Sequence, residues 1–307
     1  MDIEKKMAKK SFAILAIALI AYELMFQFIV FGVDMVEMSL LLFLFDSMQW
    51  EQVTDIIYHS GVALSIASIM AMLVMGLILR KMPSFSKKQK ITIKTLVMFY
   101  ILMQGLQLLG NYILIPMDMI AEYMGYNFDE AMSVANDFSV LFSAFFYSVV
   151  VAPVAEEILC RGILMGYLEK YGKAFAVLIT AMLFGLLHQN IVQFPITMLI
   201  GILFGYLAQR YSLMVAIVLH VLNNLSVEIT SYLGQKYEII YLIDVAFLLF
   251  CGVASIIILL IKRKSIVTFF KEDSNEMSVV KWFFTTPLML IVIGYFLFFT
   301  IRSVTPY

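Results

Sequence analysis

Nine stretches of about 20 mainly apolar residues follow one another along this sequence. They fall at 11–33, 60–79, 95–117, 138–168, 174–191, 193–209, 212–231, 239–261 and 282–301. About 20 such residues is what a helix needs to cross the hydrocarbon of a bilayer. The chain is 63% apolar and 14% charged, with a mean hydropathy of +0.95. Soluble domains run at about 45–50% and about 25%, so this chain has too little polar surface to cover itself in water. The expected fold is all-α: one polytopic transmembrane helix bundle of about 8–9 spans. The first run is too long and too uniformly apolar for a cleaved leader, and no small-residue cleavage site follows it. The short run Met38–Phe45 cannot span, which makes it a re-entrant or interfacial segment.

Charge placement orients the bundle. Lys5, Lys6, Lys9 and Lys10 precede the first run, and Arg80, Lys81, Lys87, Lys88, Lys90 and Lys94 crowd the loop after the second. Lys170, Lys173, Arg210, Lys262, Arg263, Lys264, Lys271 and Lys281 fall on the same side if all nine runs span. Stretches 34–58 and 118–137 carry no lysine or arginine. This predicts a cytoplasmic N-terminus and an external C-terminus. The net charge of −1 supplies no basic surface for nucleic acid. Two cysteines exclude a disulfide scaffold, and Cys160 and Cys251 sit inside apolar runs as small core residues. Gly162-x-x-x-Gly166 and Gly201-x-x-x-Gly205 let backbones approach closely. No fixed-period repeat, phosphate loop or His-Glu-x-x-His helix is present.

Ionisable groups within a span are costly, so each is a functional hypothesis. Most charges lie at run ends, where Glu23 and Asp244 can snorkel or pair. The exceptions gather in Pro153-Val-Ala-Glu156-Glu157-Ile-Leu-Cys-Arg161. Glu157 and Arg161, four apart, share a helix face and can pair. Glu156 points about 100° away and has no local cation, which poises it to take or give a proton. Pro153 removes a backbone hydrogen bond one turn earlier and so favours a kink or a wet pocket there.

Two of the three histidines lie in the following spans. His188 comes one turn after Phe184, and His220 one turn before Asn224. The last two share a face and aim two donors at one point, as an oxyanion requires. At 1.5 Å per residue, Glu156, His188 and His220 lie about 21, 24 and 14 Å from their cytoplasmic helix ends, so tilted helices can bring them together. His59, beside Tyr58 at the mouth of the second run, is interfacial. The chemistry this suggests is water activated by a carboxylate and a histidine, attacking a peptide carbonyl within the bilayer.

Glu156-Glu157-x-x-x-Arg161, Phe184-x-x-x-His188 and His220-x-x-x-Asn224, in that order, resemble the three-motif signature of the CAAX-protease and bacteriocin-processing (Abi) family. The resemblance covers about residues 139–230 and implies a four-helix catalytic core of an intramembrane glutamate protease. It also implies Glu156 as general base and His188 as its partner on the nucleophilic water. Glu157 and Arg161 then orient the site, and His220 with Asn224 forms the oxyanion hole. The chain divides into N-terminal helices (1–138), the core (139–231) and C-terminal helices (232–307). The expected partners are the bilayer and a peptide or membrane-protein substrate. No cofactor is expected.

Three other readings compete. Glu156, His188 and His220 make a legitimate catalytic zinc set, but without its usual helix motif. A non-catalytic scaffold or regulator on the same fold would show a broken motif, and none is broken. A proton-coupled transporter predicts an inverted repeat, which is absent. Short loops suit a bacterial cell-membrane enzyme that matures peptides, bacteriocins or membrane-protein tails, or serves bacteriocin self-immunity. Substrate and oligomeric state are not encoded legibly.

Overall fold

Lipid offers backbone N–H and C=O groups no partner, so a chain this apolar closes its hydrogen bonds within helices. The computed structural model is accordingly all-α. It describes residues 2–45, 48–86, 89–136, 141–271 and 276–306. Lys87 and Lys88 of the basic loop, and residues 139 and 140 at the expected start of the core, lie outside these.

The elements run α1 (Asp2–Leu44), α2 (Trp50–Tyr58), α3 (Val62–Leu79), α4 (Ile93–Tyr123) and α5 (Asp129–Asn136). One continuous helix follows, its α turns broken only by π-helical turns, with α6 (Phe142–Phe146), α7 (Ala152–Glu157) and α8 (Met165–Leu168). Then come α9 (Lys173–Leu187), α10 (Gln193–Arg210), α11 (Leu213–Lys236), α12 (Glu238–Lys271), α13 (Glu276–Phe284) and α14 (Pro287–Arg302). Tyr126–Asn127 and Thr305–Pro306 form a minimal antiparallel pair that ties the C-terminal end to the segment after α4.

One expectation changes. Met38–Leu44 is the last part of α1, a continuous helix of 43 residues. No proline interrupts it and its single glycine, Gly32, leaves the helix intact, so the helix continues to about 64 Å, far beyond the hydrocarbon thickness. The count of about 8–9 spans is not confirmed. Among the described residues, α1, α3, α4, α11 and α12 are long and apolar enough to cross, and α13 with α14, bent by 67°, makes a sixth if counted as one. The remaining expected spans all belong to the core. There α9 has 15 residues, about 22 Å. Helix α10 begins on Gln193 and Pro195 and ends on Gln209 and Arg210. The stretch from Phe142 to Tyr171 stays helical throughout, with α turns alternating with π turns and a closing 3-10 turn.

Helix α1 packs on α3 and α14, α4 on α10 and α12, α9 on α10, and α11 on α7. The glycine pairs act as expected, though on different partners. A Cβ at Gly201 would stand 3.2 Å from the Ala181 Cα, and one at Gly205 would stand 2.9 Å from the Val177 Cγ1, so α9 and α10 meet backbone to backbone. Gly162 and Gly166 instead receive Pro83 and Lys81 from the segment after α3. Cys160 and Cys251 are free and buried, as expected. Three lysines gather at one end: Lys9 donates to the Thr285 carbonyl, Lys170 to the Ser11 hydroxyl, and Lys81 lies beside Gly166.

Candidate active site

The two adjacent glutamates sit where the helix over 142–171 is least regular. Tyr147–Val151 and Ile158–Leu164 are π-helical and bracket α7. Pro153 lies at the start of α7. Its ring collides with the carbonyl one turn back and it has no N–H to give, and the wider π turn upstream accommodates both defects. Single π turns inside helices occur often at functional sites.

Glu157 is fully buried and takes two hydrogen bonds on one oxygen. Arg161 Nη1 donates to Oε1 at 2.9 Å, and His220 Nδ1 lies 3.0 Å from the same atom. The pairing expected from the spacing is therefore present, with His220 as a third member that local spacing did not reveal. Arg161 Nη2 donates to the Gly201 carbonyl at 3.1 Å. Its guanidinium also lies 4.5 Å from the Phe184 ring centre and 5.6 Å from that of Phe204. Aromatic faces and a backbone carbonyl thus share the burial of this cation with its carboxylate.

Glu156 faces the other way, as the helix geometry requires. Its side chain is 30% exposed, and its Oε2 is 3.8 Å from His220 Nε2. That is beyond hydrogen-bond length but within electrostatic reach. His188 ends α9, where Nδ1 donates to the Phe184 carbonyl at 2.8 Å; this directs Nε2 away from the helix. The Phe184 ring stands edge-on to both imidazoles, with centres 4.9 Å from His188 and 5.9 Å from His220. Asn224 Nδ2 donates to the Ser148 carbonyl at 2.9 Å, which leaves its second amide hydrogen for another acceptor.

Glu156, His188, His220 and Asn224 all line one cavity of about 1080 Å³, whereas Glu157 and Arg161 lie behind its wall. His59, expected to be interfacial, also lines this cavity, beside Tyr58. Asp244 lines it too, on α12. Among the described residues no group of three His, Cys, Asp or Glu side chains is arranged to hold a metal ion. Nδ1 of His188 is engaged by the Phe184 carbonyl and Nδ1 of His220 by Glu157, which leaves Nε2 of each imidazole free of those contacts.

Other buried polar residues support the site. Glu228 lies on α11 one turn beyond Asn224, and the Ser148 hydroxyl donates to it. Ser148 thereby links both residues, and the four-residue repeat His220, Asn224, Glu228 was the available signal. Glu23, expected to snorkel or pair, is buried in α1 and accepts from Gln27 at 3.2 Å and Gln189 at 3.0 Å. Gln189 follows His188 and has φ +49, a left-handed conformation that a non-glycine residue holds only when its surroundings fix it. Asn190 donates to the Ala131 carbonyl, and the Ile191 N–H donates to Ser303. The turn carrying His188 is thus held by α1, α5 and the residue after α14.

The bundle of apolar helices thus carries a glutamate, two histidines and an asparagine around one cavity. Residues 138–226 match the family described as type II CAAX prenyl endopeptidase Rce1-like, a protease family. The match covers under a third of the chain and supports its membership of the CAAX-protease and bacteriocin-processing family. No curated protein and no solved structure matches the chain. The matched stretch ends two residues before Glu228 and excludes α1 and α4.

Proposed function

We propose that this chain is a CAAX-type intramembrane endopeptidase that uses Glu156 as general base. The observation that carries the reading is the division of the two glutamates. Glu156 lines the cavity with His188, His220 and Asn224, while Glu157 is sealed behind it with Arg161. A water between Glu156 and His188 Nε2 gives its proton to the carboxylate and attacks the peptide carbonyl. His220 Nε2 and the free amide hydrogen of Asn224 hold the oxyanion. The proton on Glu156 then passes to the leaving amine. His220 Nδ1 stays on Glu157, which orients the ring so that Nε2 is the nitrogen offered to the oxyanion. A peptide, bacteriocin or membrane-protein tail is the substrate class, at a bacterial cell membrane. The direct test compares membrane peptidomes of a wild-type strain and a Glu156→Gln strain. Peptides that accumulate only with active enzyme support the reading, and identical peptidomes overturn it.

The proposal gives Asn224 a transition-state role. Removing one preorganised donor costs about 10²–10³ in turnover, so Asn224→Ala should lose that much while still inserting and folding. Turnover near the wild-type value excludes the role. The orientation places the lysine-rich end in the cytoplasm. Reporter fusions after Lys90 and after Glu122, at opposite ends of α4, should read cytoplasmic and external respectively. Both on one side, or the reverse assignment, rejects it.

A further inference from the structure

Away from Glu156 the cavity is walled by amides. Helix α4 contributes Gln104, Gln107 and Asn111, and α11 contributes Asn223 beside Asn224. With Tyr100, the α4 residues are spaced four, three and four apart, a single helix face. Gln107 Oε1 and Asn223 Oδ1 are both buried without a hydrogen-bond partner. An unmet buried acceptor is costly, and a turn of either side chain toward the cavity that its residue lines would bring the oxygen to a ligand N–H. Helix α4 is held rigidly at this level. A Cβ at Gly105 would stand 2.9 Å from the Cys251 carbonyl oxygen, one at Gly110 would stand 3.0 Å from the Ile196 Cα, and Ser255 donates to the Ile101 carbonyl at 3.1 Å. The amide face is therefore presented in a fixed position, which lowers the ordering cost of binding.

The ligand's chemistry follows from what lines the cavity. Among the described lining residues there is no lysine or arginine, while Glu156, Glu228 and Asp244 are carboxylic. A phosphate or a free terminal carboxylate finds no permanent cation there. A peptide backbone offers alternating N–H and C=O groups that side-chain amides match. A peptide must also unwind near a scissile bond, and in a membrane its freed backbone groups need new partners. We propose that Gln104, Gln107, Asn111 and Asn223 form a docking wall that takes the backbone of an extended internal peptide segment, with Gln107 Oε1 accepting a backbone N–H. This rests on the endopeptidase reading, for which it supplies the substrate-positioning site.

The test measures binding alone, in full-length Glu156→Gln protein in detergent. The probes are fluorescent peptides ending in a prenylated CAAX sequence, as free acid and as carboxamide, with single N-methyl groups placed along the backbone. Because Gln107 Oε1 is unpartnered, Gln107→Leu should fold normally. It should weaken parent-peptide binding about tenfold. One N-methyl position should cause a similar loss in the Gln107 protein and no further loss in Gln107→Leu. The carboxamide should bind at least as tightly as the acid. Equal affinity of the two proteins, an N-methyl penalty that ignores Gln107, tighter binding of the acid, or no binding by any peptide overturns the wall. Cleavage by wild-type enzyme, scored separately, distinguishes the two readings. Gln107-dependent binding without cleavage sinks the protease and keeps the wall, and cleavage indifferent to Gln107 does the reverse.

Discussion

Glu156→Gln should abolish peptide cleavage while leaving the melting temperature in detergent almost unchanged. Glutamine keeps the shape of glutamate and removes only the basic oxygen. The position can take the change because Glu156 is part-exposed to the cavity and its closest charged neighbour, His220 Nε2, is 3.8 Å away. No strong hydrogen bond is lost, so the expected stability change is under about 1 kcal/mol, of either sign. General-base catalysis contributes about 10²–10⁴ by itself. Here the same carboxylate also places the water and later returns the proton, so the loss should exceed that range and reach the detection limit of a single-turnover assay. Retained cleavage by folded protein would remove Glu156 from the mechanism.

How much of this was legible in the sequence depended on charge. Glu156, Glu157, Arg161, His188 and His220 stood out because ionisable groups are expensive within apolar runs. The four-residue spacings then fixed which of them share a face. Partners across helices are a property of packing, so the His220–Glu157 contact, between residues 63 positions apart, was out of reach. The length of α1 was misread because a hydropathy dip at Asp34 and Glu37 breaks the apolar run without breaking the helix. The core helices read as apolar runs in the sequence, and composition reports apolarity and not whether a helix faces lipid or its neighbours. The amide face of α4 has clear helical spacing, but uncharged amides raise little alarm inside an apolar run. It becomes visible only when the cavity shows what they surround.

Glu157→Gln should produce the opposite symptom, failure of the fold before failure of the chemistry. The guanidinium of Arg161 is wholly buried against Glu157, and removing one partner of such a pair costs about 3–5 kcal/mol because the other charge stays in low dielectric. Phe184, Phe204 and the Gly201 carbonyl remain around Arg161 and soften the loss without neutralising it. Adding Arg161→Met removes the stranded charge and should recover most of the melting temperature. It should not recover turnover. His220 Nδ1 still finds an amide oxygen at position 157, but a neutral acceptor orients and polarises the imidazole less than a carboxylate does. Oxyanion stabilisation from Nε2 should therefore stay weak, with turnover down by about 10²–10³. Melting temperature and single-turnover cleavage, measured on both single variants and the double, separate the outcomes. If the double variant regains cleavage along with stability, Glu157 only balances Arg161 and does not tune His220. If Glu156→Gln proves less stable than Glu157→Gln, the roles of the two glutamates are exchanged.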